Sequence, residues 1–122
     1  MKTRKELKEE YRQKIFRMGV FKIVNNTNGK IFLGSTTDLD AAWNSHRFRL
    51  KAGLHENTAL QNDWNKSGAE NFAYEIVEVI ELKNEAETDP GRELKALEEL
   101  LMDELKPFGE NGYNRKKSSK HG

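Results

Sequence analysis

His46 and His55 stand nine residues apart, the first closing an Asp38-Leu39-x-x-x-Trp43-x-x-His46 run. An imidazole changes charge near neutral pH, so either residue can exchange a proton or hydrogen-bond a phosphate. The plainer reading is equally available: His46 as a half-buried interface residue, His55 as a loop residue. Asn114, two residues after Gly112, is either a polar site group or a turn former. Phe21 and Phe32 lie in two apolar segments, Gly19-Val20-Phe21 and Phe32-Leu33-Gly34. A phenyl ring neither donates nor accepts a proton, which leaves these two for core packing or for stacking on bases. Basic side chains collect at both ends of the chain, Lys2, Arg4, Lys5 and Lys8 at one and Arg115, Lys116, Lys117 and Lys120 at the other. Such clusters either attract phosphates or serve solubility.

These residues must be positioned by elements that the sequence marks locally. Thr3-x-x-Glu6 has the form of a capping box, and Leu7 and Tyr11 recur at helical spacing, so residues 4–14 read as a basic surface helix. Residues 19–25 and 30–35, rich in Val, Ile and Phe, flank a polar Asn25-Asn26-Thr27-Asn28-Gly29 turn and read as a hairpin. Asp38 or Thr37 caps a helix in which Leu39, Ala42, Trp43, His46 and Leu50 share a face, ending near Gly53. A shorter helix at about 57–66 presents Leu60 and Trp64 one turn apart. Phe72 to Ile80 is dense in apolar residues and reads as a largely covered central strand. Asp89-Pro90 opens a last helix with Leu94, Leu97, Leu101 and Leu105 as its stripe, stopped by Pro107. The expected fold class is α+β: a small three-stranded, mainly antiparallel sheet flanked by helices, in the order α-β-β-α-α-β-α.

The two strand segments, the His46 run, Gly53-Leu54-His55, Leu60-Gln61, Trp64-Asn65-Lys66-x-Gly68, Leu97-Glu98-Glu99 and Gly112-Tyr113-Asn114 occur in an order that resembles the GIY-YIG nuclease family, over roughly residues 18–114. Residues 1–17 then stand as a basic N-terminal helix, and 115–122 as a disordered basic tail. The resemblance implies hydrolysis of DNA phosphodiesters with one divalent ion, Mg²⁺ or Mn²⁺, held by Glu98. A hard cation does ask for oxygen ligands, and one carboxylate with phosphate and water is a usual set. The alternative for Glu98 is one solvated acid among many on an acidic helix. The resemblance also makes His46, His55 and Asn114 family-matched catalytic positions. Phe21 and Phe32 stand where the family has its signature tyrosines, the first of which helps to activate the attacking water. Ala42 stands where the family has a phosphate-stabilising arginine. Arg47 and Arg49 follow at +5 and +7 from Ala42, and are expected to project from other parts of the helix while adding to nucleic-acid binding.

A general base contributes typically about 10²–10⁴-fold and a charge-stabilising donor about 10²–10³-fold, so losing both would remove most catalysis. The sequence therefore points to a nuclease-like domain that binds nucleic acid, DNA rather than RNA, with weak or no hydrolysis. Two alternatives stand beside it: an active Mg²⁺-dependent endonuclease with a rearranged base such as His46 or His55, and a protein-interaction module working through its acidic helix.

Composition narrows the setting. With 21 Lys and Arg against 20 Asp and Glu, the net charge of +1 by itself suggests neither nucleic acid nor membrane. Its distribution is uneven: residues 1–17 hold seven basic and three acidic side chains, residues 75–110 four basic and twelve acidic. There is no cysteine, which excludes disulfides and thiolate metal sites and suits a reducing interior. No 18-residue apolar stretch and no apolar run near Met1 occur, so a cytoplasmic protein with no membrane partner is expected.

Overall fold

A computed structural model describes residues 3, 17–80 and 89–115. The expected helix at 4–14, with Lys2, Arg4, Lys5 and Lys8, and the tail from Lys116 lie outside the described residues. Within them the order is β1 (Met18–Asn25), β2 (Ile31–Thr36), α1 (Leu39–Ala52), α2 (Thr58–Ser67), β3 (Phe72–Ile80) and α3 (Pro90–Leu105), with 3-10 turns at Ala69–Asn71 and Gly109–Asn111. The strands form one antiparallel sheet in the order β2-β1-β3.

The central strand is β1, not β3 as its apolar content suggested. β1 is buried along nearly its whole length, whereas β3 exposes Glu75, Ile76, Glu78 and Val79. Two glutamates in a nine-residue run belong on an edge, where charge deters further strand pairing. Glu75 sits directly across from Lys22 on β1, with the charged groups 3.8 Å apart. The β1–β3 register shifts between Val20 and Phe21, so that Val77 enters as one extra residue.

The helices begin and end where local chemistry dictates. Asp38 accepts from the Ala41 N–H to cap α1, Asn57 from the Leu60 N–H to cap α2, and Asp89 from the Arg92 N–H to cap α3. α1 stops at Gly53, whose φ of 76° is left-handed and whose N–H turns back to the Leu50 carbonyl.

The pleat of the sheet divides the core in two. On one face Phe21, Ile23 and Phe72 pack with Leu39, Ala42 and Leu50 of α1, Leu60 and Trp64 of α2, and Tyr113. On the other, Val20 and Leu33 pack with Leu101 of α3, supported by Leu97 and Val77. Leu94 and Leu101 are buried as the stripe required, while Leu105 at the helix end is 38% exposed. Gly34 matters to the first face, because a Cβ there would lie 2.6 Å from the Phe21 ring.

Candidate active site

One side of α1 and the end of β2 enclose a shallow cleft of about 210 Å³. Its walls include Ser35 and Thr36 from β2, and Ala42, Ser45, His46 and Arg49 from α1. Arg49 was expected to point elsewhere, and the structure corrects this. Seven residues at about 100° each come to two turns less some 20°, so positions 42 and 49 share a face. Arg47 does project away: its guanidinium lies 5.8 Å from the Trp43 ring centroid and bonds Asn44 Oδ1 at 2.8 Å.

His46, which lines the cleft, meets His55. His46 is half-buried between Phe21 and Phe32, at centroid distances of 5.1 and 5.6 Å, and Phe32 meets His55 edge-on at 5.6 Å. His55 is not a free loop residue; it is buried, and its backbone N–H donates to Gln61 Oε1 at 3.0 Å. Gln61 in turn donates to the Leu50 carbonyl, which ties the end of α1 to α2.

The hydrogen bonds of the pair assign its protons. His46 Nδ1 and His55 Nε2 are 2.8 Å apart, and His55 Nδ1 faces the Asn57 backbone N–H at 3.0 Å. A backbone N–H can only donate, so His55 Nδ1 is the acceptor and its proton sits on Nε2. That Nε2–H donates to His46 Nδ1, which places the His46 proton on Nε2. Both acceptor nitrogens of the neutral pair are thereby occupied. Burial pushes His46 down to about 4, helped by the charge of Arg49 and the proximity of His55. His55 is also lowered, again chiefly by burial. The pair is neutral at pH 7 and offers His46 Nε2–H as a donor, not a vacant base.

Arg49 closes the group. Its Nη1 lies 2.5 Å from Glu56 Oε2, its Nη2 3.3 Å from His46 Nδ1, and its Nε 3.4 Å from the Ser45 carbonyl. His46, His55 and Glu56 offer ligand atoms within 4.8 Å of one another, a set that could hold a metal ion. The fit is imperfect: an ion would have to replace the shared imidazole proton beside a guanidinium, and His55 Nδ1 already receives a backbone N–H.

Comparison with known proteins decides the family. A model of the GIY-YIG catalytic domain matches residues 17–114. The chain belongs to the GIY-YIG family. It is 33% identical over 73 residues to Intron-associated endonuclease 1 of Enterobacteria phage T4. That match covers 54% of this chain and 30% of the phage protein, so the chain spans under a third of that relative's length. The solved catalytic domain of homing endonuclease I-TevI is similar in structure, with a TM-score of 0.68 at 30% identity over 82% of this chain and 99% of that one. A mutant of the same catalytic domain gives 0.69 at 27% identity, covering 85% and 98%.

GIY-YIG nucleases are typically dependent on a divalent metal. Glu98 is half-buried on α3, the helix whose Leu97 and Leu101 pack on the Val20–Leu33 face of the sheet. Among the described residues no hydrogen bond or ion pair engages its carboxylate, which fits a single hard-cation ligand completed by water and phosphate. Asn114 is fully engaged: Nδ2 donates to the Leu33 carbonyl and Oδ1 accepts from the Leu33 N–H, each at 2.8 Å. It continues the β2 ladder with a side chain. Arg115 is exposed just beyond it. Phe21 is buried in the core and Phe32 half-buried against it.

Sequence reasoning passed over Arg49 as a cleft residue, singled out neither Glu56 nor Asn57, and quoted Gln61 without giving it a role. The first was readable from the helical period; Asn57 and Gln61 meet His55 from the start of α2, and Glu56 meets Arg49, through docking that leaves no periodic signature. Among the described residues no helix is long and apolar enough to cross a membrane.

Proposed function

We propose that this GIY-YIG domain binds DNA, in preference to RNA, by its phosphates and hydrolyses it weakly or not at all. The observation that carries this reading is that, among the described residues, none of the positions 21, 32, 46 and 55 offers a free proton acceptor. Phe21 and Phe32 have no hydroxyl, and both acceptor nitrogens of the His46–His55 pair are in use. A general base supplies about 10²–10⁴-fold in such a reaction. His46 then serves as a phosphate hydrogen-bond donor through Nε2–H, His55 holds its tautomer, and Asn114 positions the strand that carries Phe32 and Gly34. The basic residues Lys2, Arg4, Lys5, Lys8, Arg115, Lys116 and Lys117 add longer-range attraction. The relatives named above are endonucleases, one of them a homing endonuclease, which favours DNA as the ligand. The residues 1–17 and 115–122 flank the domain as accessory segments, and the absence of cysteine suits a cytoplasmic setting.

Glu98 is the residue that would hold Mg²⁺ or Mn²⁺. A bound ion would supply Lewis-acid stabilisation of phosphoryl charge and a more acidic water. Its unengaged carboxylate supports a second reading, slow metal-dependent cleavage. Incubating the chain with labelled linear and branched DNA in Mg²⁺ or Mn²⁺, beside Glu98→Ala, separates the two. We expect a salt-sensitive mobility shift with intact substrate. Cleavage that vanishes in Glu98→Ala would establish the enzyme, and no shift at any salt would retire the nucleic-acid reading in favour of a protein partner.

A further inference from the structure

Ala42 leaves a gap where a cation could face phosphate, and the same wall of the cleft carries Arg49 two turns on. We infer that Arg49 is the phosphate-gripping arginine of this cleft and that Glu56 parks it there until a phosphate takes the carboxylate's place. The inference rests on the nucleic-acid reading above and assigns the residue that makes the contact.

Four features support it. A helical side chain leans toward its own N-terminus, so Arg49 runs back along α1 toward Ser45 and His46, where its Nε and Nη2 are found. Ala42, at the far end of the same stripe, is too small to obstruct that approach. Nη1 and Nη2 sit on a carboxylate and a histidine nitrogen, the arrangement a guanidinium would present to two phosphate oxygens. The parking contact is also replaceable: the Arg49 side chain is 34% exposed and that of Glu56 59%, and ion pairs at such sites contribute little.

The neighbouring groups agree with an anion. Neutral His46 donates through Nε2–H, so it complements phosphate without competing as a cation. Asp38, the acid on the cleft wall, is engaged in capping α1 through the Ala41 N–H. A phosphodiester that displaces Glu56 would receive a bidentate Arg49 contact about two turns nearer the C-terminus of α1 than an arginine at 42 would reach.

The test measures affinity for a fluorescent DNA duplex across a salt series for the chain and for Arg49→Gln, Glu56→Gln and Lys66→Gln. Lys66, exposed on α2, controls for loss of one positive charge. Arg49→Gln should weaken binding roughly tenfold and reduce the salt slope by about one, as expected for one lost phosphate contact. Lys66→Gln should stay within about twofold by the same reasoning. Glu56→Gln should tighten binding several-fold, because the guanidinium is released. Equal effects of Arg49→Gln and Lys66→Gln would overturn the grip, and weaker or unchanged binding in Glu56→Gln would overturn the parking. If the parent chain binds no DNA, the function reading fails by itself, and Arg49 is then judged with inorganic phosphate. Its Nε–H resonance should shift on titration, at lower phosphate in Glu56→Gln; a signal that does not move would refute the assignment.

Discussion

Two phenylalanines and two histidines meet beside the cleft. A tyrosine at 21 would bring a hydroxyl to a ring 5.1 Å from His46, so Phe21→Tyr should raise metal-dependent nicking by about a hundredfold, the low side of what an added proton-transfer group supplies. Single-turnover nicking in Mg²⁺ measures it, and the gain should vanish when combined with Glu98→Ala. The histidines make a separate prediction about stability. His46 is lowered to about 4 in the folded chain from an ordinary 6.5, so the unfolded chain binds the extra proton first as pH falls. The contribution is complete above about pH 6.5 and is lost progressively toward pH 4, with His55 acting in the same direction. Because His46 is only half-buried, solvent screening reduces the effect to about 1 kcal/mol. Urea unfolding at pH 7, 5.5 and 4.5 should show this decline, and His46→Gln should flatten it.

Caps and close approaches decide how the elements hold the site. Asn57 does two jobs, accepting from the Leu60 N–H to start α2 and donating to the Tyr113 carbonyl at 2.7 Å. Asp89 caps α3 from an exposed position with one bond. Asn57→Ala should therefore cost about 2 kcal/mol and Asp89→Ala about 1 or less, measured by denaturant midpoints. Gly34→Ala forces a Cβ against the buried Phe21 ring and should cost about 1–3 kcal/mol. Most of these elements were legible because their signals are local: Asp38 and Asp89 precede their helices, Gly53 stops one, and apolar residues recur at the helical period. The rank of the strands was not, since centrality depends on which neighbours a strand acquires. Glu75 and Glu78 carried the missed signal for β3.

At the scale of the whole molecule, Tyr113 joins segments distant in the chain. Its hydroxyl donates to Asp63 on α2 at 2.7 Å and accepts from the buried Asn25 at 3.0 Å, while Lys30 lies over its ring. Burial and the Asp63 carboxylate push that hydroxyl up to about 12, so it stays protonated as a fastener. Tyr113→Phe would leave the Asn25 amide with a lost partner in the core, and a loss of about 1–3 kcal/mol is expected in equilibrium unfolding, with the slope on denaturant unchanged. The order and limits of the elements, and the residues at positions 21, 32, 42, 46, 55 and 98, were set by the sequence itself, because helix period, caps and turn residues act over a few neighbours. What the tertiary structure alone decided is who meets whom. The central place of β1, the burial of His55, the shared proton of the histidine pair and the spending of Asn114 on Leu33, 81 residues away, all depend on docking between segments that no local pattern brings together.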